Sequence, residues 1–366
     1  MIRTIDRTRT ATLPAGALWP LALIVVAAVP TSALAHHSFA KFDSERTIEI
    51  EGEIVDVRWQ NPHVSFVLRG QGADGQIQNW KLETASPGIL RRMGVDAGVV
   101  AAGDRVKVVG NPAVGGSPEM SPTNMLLADG RELQLMPSVP LRFSDRGIGD
   151  QNAWQITQGD SSRPELGLFR VWSSTFASAV TLFPDNDERS GFTALDYPLT
   201  DAARRVVESF DRVEGSRKLA NDCTPKGMPW IMEQPYDVAF ERNGNDILLR
   251  LEEFDVVRRV HMDWSGDRPA EPSSPHGFST GAWEGEALVV TTTNLSSPNF
   301  KWDVPQSEQA EIVERFTPSA DGARLDYEIV VMDPATFTEP VRLEKYWISI
   351  PGQALDAYNC GARLSP

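Results

Sequence analysis

Apolar and polar residues alternate one by one along stretch after stretch of this chain, and that spacing commits it to β-structure. Ile48 and Ile50 alternate with Thr47, Glu49 and Glu51; Val55, Val57 and Trp59 alternate with Asp56, Arg58 and Gln60. Successive side chains of a strand point to opposite faces, so the spacing predicts one long strand with an apolar side, bent at Gly52. Val64, Phe66 and Leu68 repeat the pattern, a turn falls within 70–75, and Ile77 to Glu83 reads as the returning strand. Ser86-Pro87 then opens a short helix with Ile89, Leu90 and Met93 on its apolar side, and Gly94 can close it in the left-handed conformation. Strands around Val106–Val108 and Thr123–Ala128 follow. This order is the one expected of an OB-like barrel, whose long first strand lets five strands close and hide their edges.

Residues 134–198 read as a linker and a strand that leads into a second domain, with the apolar segment Leu166–Trp172 as that strand. Leu199, Ala203, Val206, Val207 and Phe210 recur at helical spacing behind Thr200 and Asp201, which predicts one amphipathic helix lying on or plugging a barrel. From Pro235 onward about seven or eight strands are separated by turns such as Asn243-Gly244-Asn245, Glu284-Gly285-Glu286 and Asp321-Gly322. Leu325, Tyr327, Ile329 and Val331 share one face of a strand; Asp326, Glu328 and Val330 share the other. The series reads as an antiparallel up-and-down barrel of the lipocalin-like sort, with a sandwich as the alternative. The chain is therefore expected to be all-β, with an OB-like barrel over 36–133 and a larger barrel over 199–366.

Residues 1–35 have the features of a cleaved export signal. Arg3, Arg7 and Arg9 precede an apolar run from Ala17 to Val29, and Ala33-Leu34-Ala35 supplies small residues for cleavage. The run is broken by Pro20 and is shorter than the roughly 20 apolar residues that span a bilayer, so no membrane anchor is expected after cleavage. The predicted location is the periplasm. Residues 1–35 hold three Arg and one Asp, so removing them takes the net charge from −15 to about −17. An acidic surface of that size repels polyanions, which argues against a nucleic-acid partner. In an oxidising compartment Cys223 and Cys360 are expected to form a disulfide.

Cleavage after Ala35 would give His36 a free α-amine beside its imidazole, with His37 next to it. The amine and Nδ1 of a terminal histidine chelate one ion, and an imidazole from elsewhere can complete a tetragonal Cu(II) or Ni(II) site. His63, in Asn61-Pro62-His63 at the tip between the first two strands, is the natural further ligand. Copper is thus the candidate cofactor, and the candidate metal set is His36, His37 and His63. In the second barrel the candidate ligand-binding residues are Arg258, Glu314, Glu328 and Trp283. Arg258 and Arg259 face opposite sides of one strand, so only one of them can enter the barrel, where it would anchor an anion. Trp283 is expected to pack as core within the hairpin 281–285, and His276 lacks an identifiable nucleophile partner.

Two stretches also resemble known sequence families. His36-His37-Ser38-Phe39-Ala40-Lys41-Phe42-Asp43 and Trp59-Gln60-Asn61-Pro62-His63 resemble the opening of a family of small exported proteins of Gram-negative bacteria whose function is unknown. The likeness continues through Trp80-Lys81-Leu82-Glu83, Leu90-Arg91-Arg92 and Gly103-Asp104-Arg105-Val106 to about residue 133. The second half is similar to another uncharacterised exported module, through Val257-Arg258-Arg259-Val260 and Trp283-Glu284-Gly285. That module carries a Gly-His-Ser where this chain has Gly277-Phe278-Ser279. Neither resemblance implies an activity. The reading that follows is a periplasmic two-barrel binding protein for a metal or small molecule, with a metal site in the first domain and an apolar-ligand cavity in the second. The competing class is an enzyme whose site lies inside the second barrel; it requires Arg258, Glu314 and Glu328 to converge in one pocket.

Overall fold

A computed structural model describes residues 41–72, 75–137, 139–150, 152–153, 156–175, 182–186, 190–211, 223–266 and 272–360. The segment read as an export signal, together with His36 and His37, lies outside them. Among the described residues no helix is long and apolar enough to cross a membrane.

The first sheet contains β1 (Ile48–Arg58), β2 (Ser65–Gln71), β3 (Ile77–Glu83), β4 (Arg105–Pro112), β5 (Glu119–Leu127), β6 (Glu132–Gln134) and β7 (Gly147–Ile148). Its first five strands close in the order β1-β2-β3-β5-β4, the last contact back to β1, and β3 meets β5 in parallel at Leu82 and Met120. That is the OB arrangement the pattern predicted. The length of β1 makes closure possible, because its first half pairs with β4 over Ile48–Glu53 and its second half with β2 from Gly52 to Arg58. Gly52 sits at the handover, where a Cβ would lie 2.3 Å from the Arg69 carbonyl oxygen, so only glycine lets the two strands approach. Ile54, Phe66, Leu68, Leu82, Val108 and Met125 fill the barrel. Between β3 and β4 stands α1 (Pro87–Arg92), begun by the Ser86 hydroxyl, which accepts from the Ile89 amide.

The larger barrel is built from β8 (Val171–Ser174), β9 (Val238–Asn243), β10 (Asp246–Leu251), β11 (Val256–Met262), β12 (Phe278–Glu284), β13 (Ala287–Thr293), a side hairpin of β14 (Asn299–Lys301) and β15 (Val304–Pro305), then β16 (Glu311–Pro318), β17 (Arg324–Met332) and β18 (Val341–Ile348). Nine of these close in the order β10-β11-β12-β13-β16-β17-β18-β8-β9. The segment read as a leading strand, Leu166–Trp172, reaches β8 only with its last two residues, since Pro164–Leu166 form a 3-10 turn; β8 joins β18 to β9 and completes the ring. A closed ring with an odd number of strands cannot alternate in direction throughout. One pair must run parallel, and it is β11–β12, at Val260 and Ser279.

The helix predicted to cover or plug this barrel is α2 (Asp201–Ser209), capped by Thr200 and packed on β15 through its buried side, Ala203 and Val207. It is not the plug. The 3-10 turn Trp230–Glu233 takes that role, placing the Met232 sulfur 3.6 Å from Arg258 Nη1 and the Met232 carbonyl 3.2 Å from Lys345 Nζ. Trp172, Phe240, Phe316, Tyr327 and Trp347 occupy the interior, with Phe240–Phe316 and Tyr327–Trp347 centroids 5.0 and 5.2 Å apart. The expected apolar-ligand cavity is therefore replaced, among the described residues, by a packed core. Large aromatic side chains on the inward positions consume the volume that smaller ones would have left open.

Candidate functional site

Of the residues singled out in the second barrel, the structure brings two together. Arg258 on β11 and Glu314 on β16 point inward, and their side chains are 1% and 0% exposed. Nη1 donates to Glu314 Oε1 at 2.9 Å and Nη2 to Oε2 at 2.5 Å. Nη2 also reaches Ser279 Oγ and Thr292 Oγ1, at 3.3 and 3.1 Å, and the Tyr327 hydroxyl donates to Glu314 Oε1 at 2.9 Å. Burial opposes the charge of Arg258, but Glu314 outweighs it and raises the guanidinium pKa; burial, with Glu314 adding, pushes Tyr327 well up. The guanidinium fork is thus occupied by a protein carboxylate rather than offered to an anion.

Glu328 does not join them. It lies on the outer face of β17, 40% exposed and paired with Arg342, because Leu325, Tyr327 and Ile329 take the inner face. Trp283 is not core: it is 43% exposed, since the β12–β13 hairpin carries it toward the open turn at 284–286, where its ring makes a tilted contact with Phe169 at 6.2 Å. His276 Nε2 lies 3.0 Å from the Lys226 carbonyl oxygen, to which it donates, and burial lowers its pKa. The convergence that the enzyme reading requires is not met. The barrel does contain a cation that sequence reasoning missed, Lys345, 5% exposed and pushed down to about 7 by burial against the opposing pull of Glu233 and Glu253. Its place on the inward side of β18, between Leu343 and Trp347, was the available signal.

The first barrel presents His63 differently. The residue stands between β1 and β2, and its Nδ1 lies 2.9 Å from the Thr84 carbonyl oxygen. A carbonyl only accepts, so Nδ1 carries the proton and the neutral ring has its lone pair on Nε2. Nε2 faces Glu83 Oε1 at 4.0 Å, across a cleft of about 40 Å³ that Lys81, Gln60 and Arg58 also line. The other Glu83 oxygen binds Lys41 Nζ at 3.0 Å, and Glu119 binds the same ammonium at 3.0 Å. Burial opposes the charge of Lys41; the two carboxylates outweigh it and raise the pKa. Lys41 is the first described residue, four positions after His37. Among the described residues no group of three His, Cys, Asp or Glu is close enough to hold a metal, and the predicted partners His36 and His37 lie outside those residues.

The motif around His63 also meets the second barrel. Asn61, fully buried, donates through Nδ2 to Glu252 Oε1 at 2.7 Å and to the Asp356 carbonyl at 3.3 Å. Arg91 makes a two-pronged contact with Asp356 at 2.8 and 2.7 Å. Arg92 donates to the Ser174 carbonyl at 2.5 Å and lies 3.7 Å from Asp237. Burial pushes Asp237 up to about 6 against the pull of Arg92, and it pushes Glu252 up to about 8, with the charge of Asp237 adding. Both carboxyls hold protons in the folded protein that an unfolded chain releases near pH 4, so the stability they contribute is full below that pH and is lost as pH rises through 6 and 8. The melting temperature is therefore expected to fall between about pH 5 and pH 9, and the alkaline part of the fall to vanish in Glu252→Gln. Calorimetric melts of both proteins across that range check it; a fall of the same size in Glu252→Gln would contradict the assignment.

The fold and these contacts define an all-β, two-barrel protein whose domains meet through polar and ionisable residues. Residues 23–120 match a family described as "Family of unknown function (DUF6152)", a span that takes in β1 to β4, α1 and the start of β5. The match does not reach the segments likened to the second module. No curated protein and no solved structure matches the chain.

Proposed function

We propose that the protein is an exported, periplasmic binding protein that holds one copper ion at the first barrel, through the amine and imidazole of His36, through His37 and through Nε2 of His63. The observation that carries this reading is the setting of His63. A ligating histidine usually donates its second ring nitrogen to a carbonyl or carboxylate, which fixes the tautomer and aims the lone pair; the Thr84 carbonyl does this for His63. Glu83 beside Nε2 adds negative charge for a dication, and its other oxygen binds Lys41, the first described residue. The disulfide between Cys223 and Cys360, with Cα atoms 5.6 Å apart, supports an oxidising compartment and hence export.

Calorimetric titration with Cu(II) tests the reading on protein that begins at His36. Binding of one ion per chain is expected. Adding one residue before His36, or replacing His63 by alanine, is expected to weaken it by about tenfold or more, the usual effect of removing a ligand or its support. Equal affinity in all three proteins would refute the proposal.

A further inference from the structure

A groove of about 460 Å³ runs between β8–β11 of the larger barrel and the C-terminal segment 353–357. Its volume lies within the roughly 300–1,000 Å³ range of small-molecule sites, which favour the boundary between domains. Leu251, Val256 and Leu355 give it an apolar wall. Its charged lining is Glu241, Glu252, Asp255 and Asp356 against a single cation, Arg250, which is bound to Glu241 at 2.8 Å. Asp356 is held by Arg91, and the Asp255 carboxylate accepts from the Tyr358 amide at 3.0 Å. Glu252 is different. It is 2% exposed, its Oε1 accepts from Asn61, and its Oε2 makes no hydrogen bond. The Asp356 amide lies near enough to favour the ionised form of Glu252, though not in hydrogen-bonding geometry to Oε2. Gln353, on the facing wall, likewise has a buried Oε1 without a hydrogen bond.

A buried carboxyl oxygen and a buried amide oxygen without hydrogen-bond partners, in an acidic groove with an apolar wall, suit a ligand that brings donors, positive charge and hydrocarbon together. We propose that this groove binds a small organic cation, an ammonium group on an apolar stem, with Glu252 as its counter-charge. An ammonium supplies three donors and no acceptor, which suits the Glu252 carboxylate once it is ionised and the Gln353 amide oxygen. Glu252 holds a proton at neutral pH because burial, with Asp237 and Asp356 adding, raises its pKa to about 8. A cation beside it favours the carboxylate, so the proton leaves Glu252 for solvent as the ligand binds. Arg92 and Arg91 face Asp237 and Asp356 from the first barrel and are not displaced by this step.

Calorimetry on the mature chain tests the site with 4-phenylbutylamine and its neutral analogue 4-phenylbutanol. The amine is expected to bind about tenfold or more tightly than the alcohol, as charged hydrogen bonds of this kind allow, and to release protons in buffers of differing ionisation enthalpy. Glu252→Gln is expected to abolish both the preference and the proton release. Leu355→Trp, which fills the groove from the outer segment without touching Glu252 chemistry, is expected to weaken both ligands by about tenfold. Amine binding no tighter than the alcohol, a preference that survives Glu252→Gln, or amine affinity unchanged in Leu355→Trp would each overturn the proposal. No metal is present in this experiment, so its outcome is independent of the copper titration.

Discussion

Replacing Glu314 by alanine is expected to destabilise the protein by about 3–5 kcal/mol, because it strands a buried guanidinium. Arg258 is 3% exposed, and the groups left around it, Ser279 and Thr292, are neutral hydroxyls that already bond one another at 2.8 Å. The Tyr327 hydroxyl would lose its acceptor as well. Removing both charges is a different matter. Arg258→Met combined with Glu314→Leu is expected to recover most of the loss, since the dehydration of two ions disappears with them. Urea unfolding followed by tryptophan fluorescence, with Trp172 and Trp347 as buried reporters, measures both. If Glu314→Ala cost less than about 1 kcal/mol, the ion pair would not be sealed in the core as described.

Loss of the disulfide is expected to have an effect of similar size. Cys223 and Cys360 are separated by 137 residues, and releasing a loop of that length is worth about 5 kcal/mol in the chain-entropy estimate. The bond also secures the last described residues, where the Tyr358 ring stands 4.9 Å from Phe254 and 5.6 Å from Tyr236. Cys223→Ser with Cys360→Ser is expected to lower the unfolding midpoint strongly, and dithiothreitol to do the same to the unaltered protein. Coincident unfolding curves with and without reductant would contradict this.

Local alternation made most of the fold legible. It located the long β1, the strand order of the first barrel and the strand series of the second, while helical spacing behind Thr200 located α2. It also held more than was drawn from it: with Leu325, Tyr327 and Ile329 on the inward face of β17, Glu328 had to face water, and Lys345 had to face in with Leu343 and Trp347. Arg258, the member of the Arg258–Arg259 pair taken as the barrel candidate, shares its face with Val256 and Val260, and that apolar face is the buried one. The structure turns Arg258 inward and pairs Arg259 with Asp246 outside. Contacts between the barrels left no local trace. Asn61 and Glu252 are 191 residues apart, and nothing near either residue announces that each will be buried by the other's domain. Trp283 misled for the opposite reason, since an aromatic residue in an alternating strand reads as core wherever the barrel ends.

His63 as a copper ligand together with the processed terminus is the central proposal for this protein. Electron paramagnetic resonance of the protein that starts at His36, loaded with one equivalent of Cu(II), addresses this directly. A tetragonal spectrum with coupling to several nitrogens is expected, with one imidazole contribution lost in His63→Ala and the terminal-amine contribution lost when a residue precedes His36. A spectrum that both changes leave untouched would place the copper elsewhere and contradict the assignment.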